Sequence, residues 1–160
     1  MLAENNSAKK LDRIDRKILV ELQKDGRLSN VELAKRVGLS PTPCLERVRK
    51  LELDKFILSY NARVDPNKVG AALLVFVEIT LSKTSPEDFD EFSKAVQKLD
   101  EILECHLVSG SFDYYLKVVT KDVETYNQFY QEKLAVLPSV AHISTLFVMD
   151  EIKQTTALPV

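Results

Sequence analysis

The sequence predicts an α+β chain of two small domains. An N-terminal winged helix-turn-helix comes first, followed by a βαββαβ, ferredoxin-like sandwich. Two observations carry this prediction. Apolar residues recur at helical spacing up to Asp65 and then alternate with period two from Leu73. Charge divides in the same place: residues 1–60 carry 13 Lys+Arg against 9 Asp+Glu, and the remainder carries 9 against 15. A basic first part joined to an acidic second part separates two tasks, the first suited to a polyanion. The expected boundaries are a disordered N-terminus over 1–10, a helix-turn-helix domain with its linker strand over 11–64, a βαββαβ domain over 65–153, and a tail over 154–160.

The first helix is written by Leu11, Ile14, Ile18 and Leu22, one stripe at i, i+3, i+7 and i+11, with Asp12 as its cap and Asp25-Gly26 as its stop. Ser29-Asn30-Val31-Glu32 reads as a capping box with Leu28 and Leu33 at the staple positions, and Gly38 ends that second helix. Ser40 caps a third, for which Pro41 suits the first position and Pro43 is tolerable within the first turn. Cys44, Leu45, Val48 and Leu51 are assigned to its buried face. Thr42, Glu46, Arg49 and Lys50 then lie opposite, flanked by Pro43 and Arg47. Residues 57–64 read as an extended strand or hairpin.

Asp65-Pro66-Asn67 is a turn. Leu73, Val75, Val77, Ile79 and Leu81 alternate as a strand. Ser85-Pro86 starts a helix with the stripe Phe89, Phe92, Val96 and Leu99. Leu103, Cys105 and Leu107 alternate, Ser109-Gly110-Ser111 turns, and Phe112, Tyr114, Leu116 and Val118 return. Asp122 caps a helix carrying Tyr126, Phe129, Tyr130, Leu134 and Leu137, and Val140 to Met149 form the last strand. Two helices cover one face of such a sheet, and a second subunit is the simplest cover for the other.

Composition excludes several classes. The longest apolar run, residues 71–77, is seven long, against the ~20 a spanning helix needs, so no membrane partner is expected. The N-terminus lacks the apolar stretch of a secretory signal, and two cysteines 61 positions apart suit a reducing cytoplasm. Cys105 and His106 adjoin but, as strand neighbours, face opposite ways, and the chain has only two histidines, so no metal site is expected. Neither cysteine joins a nucleophile constellation and no glycine-rich phosphate loop is present, so no cofactor and no enzyme activity are expected.

Double-stranded DNA is the partner the first domain fits. In a helix-turn-helix the first helix braces the second, which enters the major groove N-terminus first. Arg bonds guanine acceptors, Lys neutralises phosphate, and Thr or Pro touches a thymine methyl. The candidates on the reading helix are Thr42, Pro43, Arg47, Arg49 and Lys50. Lys35 and Arg36 are candidate phosphate contacts, and Ser29 and Ser40 join them at the two helix starts. Which of these read bases stays open. A helical hairpin with a solvated basic face is the competing interpretation.

Leu11-Asp12-Arg13-Ile14-Asp15, Ser29-Asn30-Val31-Glu32-Leu33-Ala34 and Val37-Gly38-Leu39-Ser40-Pro41-Thr42-Pro43-Cys44-Leu45-Glu46-Arg47-Val48 closely resemble the Lrp/AsnC family of feast/famine transcription regulators. Glu104-Cys105-His106-Leu107-Val108-Ser109-Gly110-Ser111-Phe112-Asp113-Tyr114 resembles the signature hairpin of its regulatory domain. The resemblance spans about residues 11–153. It implies a regulator of amino-acid metabolism, a dimer built through βαββαβ domains and often assembled into octamers, and a small amino-acid effector held between regulatory domains. Leucine is the first choice of effector, with asparagine, lysine or another amino acid open. Gly110 and Asp113 match the effector motif, Gly110 letting amides approach a carboxylate and Asp113 holding an ammonium, with Ser111 beside them and Leu107, Val148 and Met149 as an apolar wall. The same residues also suit a plain hairpin turn and core. Two other functions fit this architecture: a relative of haem-biosynthesis decarboxylases, and a protein-interaction module.

Overall fold

The computed structural model describes residues 10–160. The disorder expected of the N-terminus therefore lies outside the described residues, Lys10 excepted. The chain forms two compact units, one running up to Arg63 and including Lys153–Val160, the other Val64–Ile152.

The first unit has three helices, α1 (Arg13–Lys24), α2 (Asn30–Val37) and α3 (Pro41–Leu53). Asp12 caps α1 by accepting from the Ile14 and Asp15 amides, and Asp15 reaches back to the Asp12 amide. Ser29 caps α2 by accepting from the Glu32 amide. The reciprocal half of that capping box does not form, because the Glu32 carboxylate accepts from Arg36 Nε instead. Gly38 stops α2 at φ 78°, ψ 37°, a left-handed conformation that costs an L-residue roughly 1–2 kcal/mol. Ile18, Leu19, Leu33, Ala34, Val37, Cys44 and Leu51 form the core where the three helices meet.

Two expectations change here. Residues 57–64 form no strand among the described residues. Among the described residues of this unit no strand lies beside them to complete a ladder, and they are held at one end by the Phe56 and Ile57 amides donating to the Leu51 carbonyl. Tyr60 donates its hydroxyl to Glu52 at 2.8 Å, and burial pushes that phenol up to about 12. The terminal segment also belongs to this unit. Gln23 at the end of α1 both donates to the Leu158 carbonyl and accepts the Leu158 amide, and Arg63 bonds Gln154.

In the second unit a 3₁₀ turn (Pro66–Lys68) follows the Asp65 cap. Then come β1 (Leu73–Leu81), α4 (Pro86–Val96), β2 (Ile102–Leu107), β3 (Tyr114–Thr120), α5 (Val123–Phe129) and β4 (Val140–Phe147). The strands make one antiparallel sheet in the order β2-β3-β1-β4. Alternation sends Val75, Val77, Ile79, Leu116 and Val118 to one face, where α4 contributes Phe92 and α5 contributes Tyr126 and Phe129 to a single core. Ser85 and Asp88 form the capping box of α4, and Asp88 also accepts from Ser139 at 2.7 Å. The last helix leaves α geometry for a π turn over Tyr130–Leu134, which still buries Leu134. β2 is an edge strand with a bulge between Ile102 and Glu104. For that reason Leu103 and Leu107 stay 56% and 62% exposed where the alternation predicted burial.

Candidate nucleic-acid interface and effector hairpin

α3 is set by its neighbours. Asn30, at the start of α2, donates Nδ2 to the Pro41 carbonyl at 2.7 Å and so fixes the tip of α3. This bridge was not legible in the sequence, where Asn30 reads only as a residue following a cap. Arg47 donates to Asp12 Oδ2 at 2.6 Å and Asp15 Oδ1 at 2.7 Å, tying the middle of α3 to the start of α1. Asp12 and then Asp15 raise the guanidinium's proton affinity. The Asp12 carboxyl is held below its usual range, first by the Asp15 amide it caps and then by Arg47. Arg36 is likewise engaged, with Glu32 and with Glu21 of α1, and both raise its proton affinity.

These contacts revise the list of cations available to a phosphate. Arg36 and Arg47, two of the candidates for DNA contact, each pair with carboxylates inside the unit. The sequence hides this because α1 presents Asp12, Asp15 and Glu21 only once the three helices are packed. Lys35, Arg49 and Lys50 are exposed and have no ion pair among the described residues. Ser29 is occupied as a cap, whereas Ser40 occupies the cap position of α3 without a side-chain hydrogen bond. Thr42 is exposed and Pro43 half-buried. Leu45, assigned to the core face, is instead 37% exposed, because it stands about 100° around the helix from Cys44.

The hairpin that joins β2 to β3 is closed by the Val108 amide donating to the Asp113 carbonyl at 2.9 Å. Asp113 also has a part in the fold. Its Oδ2 accepts the Leu81 amide at 2.7 Å and its own amide donates to the Ile79 carbonyl, so it ties the hairpin to the end of β1. Oδ1 accepts no hydrogen bond among the described residues. Gly110 and Ser111 lie at the exposed tip, where a Cβ on Gly110 would meet nothing within 4 Å. Leu107 joins Phe89, Val96, Leu103, Cys105 and Tyr114 in an open groove of about 780 Å³ between α4 and β2.

Val148 and Met149 do not join that group. The Val148 amide donates to the Leu74 carbonyl at the start of β1, whereas Asp113 binds its far end. Leu74 to Ile79 alone spans about 17 Å of strand. β4 runs antiparallel to β1 and delivers its C-terminus to the end away from the hairpin, with Met149 95% exposed. An apolar wall shared by Leu107, Val148 and Met149 therefore cannot form within one chain.

A basic three-helix unit with an exposed, braced third helix, followed by a βαββαβ sheet, defines a helix-turn-helix regulator with a separate sensing domain. Residues 11–52 match the AsnC-type helix-turn-helix domain and residues 74–158 the Lrp/AsnC ligand binding domain. The chain belongs to the Lrp/AsnC family and is a DNA-binding transcription regulator, not an enzyme. It is 57% identical to the leucine-responsive regulatory protein of Escherichia coli (strain K12) over 156 residues, covering 98% of this chain and 95% of that protein. It is 59% identical to the Serratia marcescens protein of the same name, covering 94% and 92%. Among solved structures, the transcriptional regulator NMB0573/L-Met complex from Neisseria meningitidis superposes with a TM-score of 0.90 at 37% identity, covering 94% of this chain and 97% of that one. E. coli AsnC superposes with a TM-score of 0.83 at 26% identity, covering 92% and 97%.

Proposed function

We propose that this chain is a cytoplasmic regulator of amino-acid metabolism genes that binds DNA as a homo-oligomer and responds to a small amino acid, leucine first. The observation that carries the DNA part is α3 itself: braced through Arg47 and Asn30, it leaves Arg49 and Lys50 without an ion pair among the described residues while neighbouring arginines are neutralised. Among the described residues, no helix is long and apolar enough to cross a membrane. Thr42, Pro43 and Arg49 meet the major groove, with Lys50, Lys35, Ser29 and Ser40 near the backbone. Arg36 and Arg47 act by positioning.

Assembly is supported by the sheet face turned from α4 and α5. Phe76 stacks on Tyr115 at 5.2 Å, Phe112 adjoins Tyr115 at 5.9 Å, and Leu146 stands 44% exposed. A second subunit covers this face in a dimer, and dimers combine further, an octamer being the expected size. The effector site is then intermolecular. The Gly110–Ser111 tip and Leu107 of one subunit need a wall from another, since Val148 and Met149 of the same chain lie at the opposite end of β1. That the Escherichia coli relative is called leucine-responsive and the Neisseria regulator was solved with L-Met supports an amino-acid ligand of this size and polarity.

The test is a titration of promoter fragments with the full chain, with and without each amino acid, and a sedimentation measurement on the same samples. Leucine is expected to shift DNA affinity or oligomer mass. If no amino acid shifts either, the effector assignment fails while DNA binding stands.

A further inference from the structure

The geometry points to Leu45 and Glu46 as base-reading residues of α3, the apolar and the acceptor part of one sequence-specific contact. This rests on α3 occupying the major groove. Thr42, Glu46 and Arg49 recur at i, i+4 and i+7 and so share the side of the helix opposite buried Cys44 and Leu51, and Leu45 borders them about 100° around from Cys44. All four are exposed. Lys50 sits to one flank, beside a cleft it lines with Leu11, Asp15, Arg47 and Phe56.

The tip of α3 is poorly equipped for phosphate. Pro41 and Pro43 have no N–H, and the Cys44 amide is taken by the Ser40 carbonyl. Thr42 therefore keeps the one main-chain N–H of the first three helical positions, where a helix start ordinarily offers several. Phosphate contact falls to the flanking lysines, and the ridge from Thr42 to Arg49 is left for the groove floor.

Two residues on that ridge are out of place on a merely basic surface. Glu46 repels phosphate, and it has no cation partner among the described residues although Arg49 and Lys50 are three and four positions on. By contrast Asp12, Asp15, Glu21 and Glu32 are each held by an arginine. A free carboxylate brought to a duplex needs a donor, and the donors in the major groove are the amino groups of cytosine and adenine. Leu45 meets the same constraint in apolar form, since the thymine methyl is the apolar group this groove displays. Glu46 and Arg49 lie about 4.5 Å apart along the helix axis, a little more than one ~3.4 Å base step. A guanine read by Arg49 and an amino-bearing base read by Glu46 are then near neighbours in the site.

The experiment uses the full chain and duplexes selected from a random pool by the unaltered protein. Glu46→Ala is expected to flatten base preference at one position, by roughly five- to hundredfold, while duplexes lacking the preferred base bind as well as before or better. Replacing thymines singly by deoxyuridine, which lacks the methyl, is expected to weaken the unaltered protein several-fold at one position and to leave Leu45→Ala indifferent there. Lys50→Ala, by comparison, weakens all duplexes alike. Both ridge side chains are exposed, and an unchanged thermal unfolding midpoint verifies that the variants fold. The assignment is overturned if Glu46→Ala tightens every duplex equally with the ranking intact, or if deoxyuridine affects the unaltered protein and Leu45→Ala identically. An unaltered protein with no salt-dependent duplex binding would remove α3 from the groove, and this assignment with it.

Discussion

Arg47 and Lys50 are three residues apart on one helix, and the structure gives them opposite roles that salt can separate. Each phosphate neutralised by a protein cation releases counterions, so log affinity falls with log salt at a slope of about −0.9 per contact. Lys50 has no internal partner among the described residues, so Lys50→Ala should shallow that slope by about 0.9 for each copy touching DNA. Between 50 and 200 mM salt, one contact changes affinity by about 3.5-fold. The deficit of Lys50→Ala relative to the unaltered protein should therefore shrink by that factor per contact as salt rises. Arg47 has both aspartates within 2.7 Å. Arg47→Ala should leave the slope unchanged, weaken binding at every salt by a common factor, and lower the unfolding midpoint of the first unit, because it strips a partner from Asp12 and Asp15. Fluorescence anisotropy of a labelled promoter fragment over a salt series, with thermal unfolding of both variants, supplies the four quantities. If Arg47→Ala shallows the slope as much as Lys50→Ala does, the guanidinium leaves its carboxylates for phosphate and the division of roles is refuted.

Two further outcomes concern the sensing unit. Phe92 is fully buried and stacks on Tyr114 with ring centroids 4.3 Å apart, so Phe92→Ala should cost about 3–5 kcal/mol in chemical denaturation. A loss below about 1 kcal/mol would mean the core closes over the gap. Asp88 is held below the ordinary carboxylate range, first by Ser85 and then by Ser139. A depressed carboxyl contributes stability above its unfolded value of 3.8, and that contribution is lost as pH falls through the lower folded value. Asp88→Asn should therefore be less stable than the unaltered protein at pH 7 and converge on it in acid. A constant difference between the two across that range would contradict the linkage.

Most of the local structure was legible in the chain. Asp12, Ser29 and Ser85 mark helix starts because each satisfies amides within three residues of itself, and Gly38 marks a stop because its conformation is a local steric matter. The change of apolar period near Asp65 separates helices from strands for a similar reason, since side-chain direction depends on backbone repeat alone. The family motifs were equally readable, being continuous stretches. The candidate site was legible only in part. Lys35, Arg49 and Lys50 are exposed and have no ion pair among the described residues, whereas Arg36, Arg47 and Asp113, which look in sequence like groups waiting for a ligand, are bonded within the fold.

What the sequence determined by itself was everything governed by neighbours a few residues apart: caps, turns, periods and the class of each element. Tertiary structure alone decided which charges cancel and which carboxylates are occupied, because Asp12 reaches Arg47 across 35 positions and the Leu81 amide meets Asp113 across 32. It also decided that Leu107 and Val148 occupy opposite ends of β1, since strand direction in a sheet follows from pairing with partners remote in the chain. Coulomb attraction and hydrogen bonding act over a few ångströms of space whatever the separation in sequence, so residues that advertise a function in one dimension can be spent on holding the fold in three.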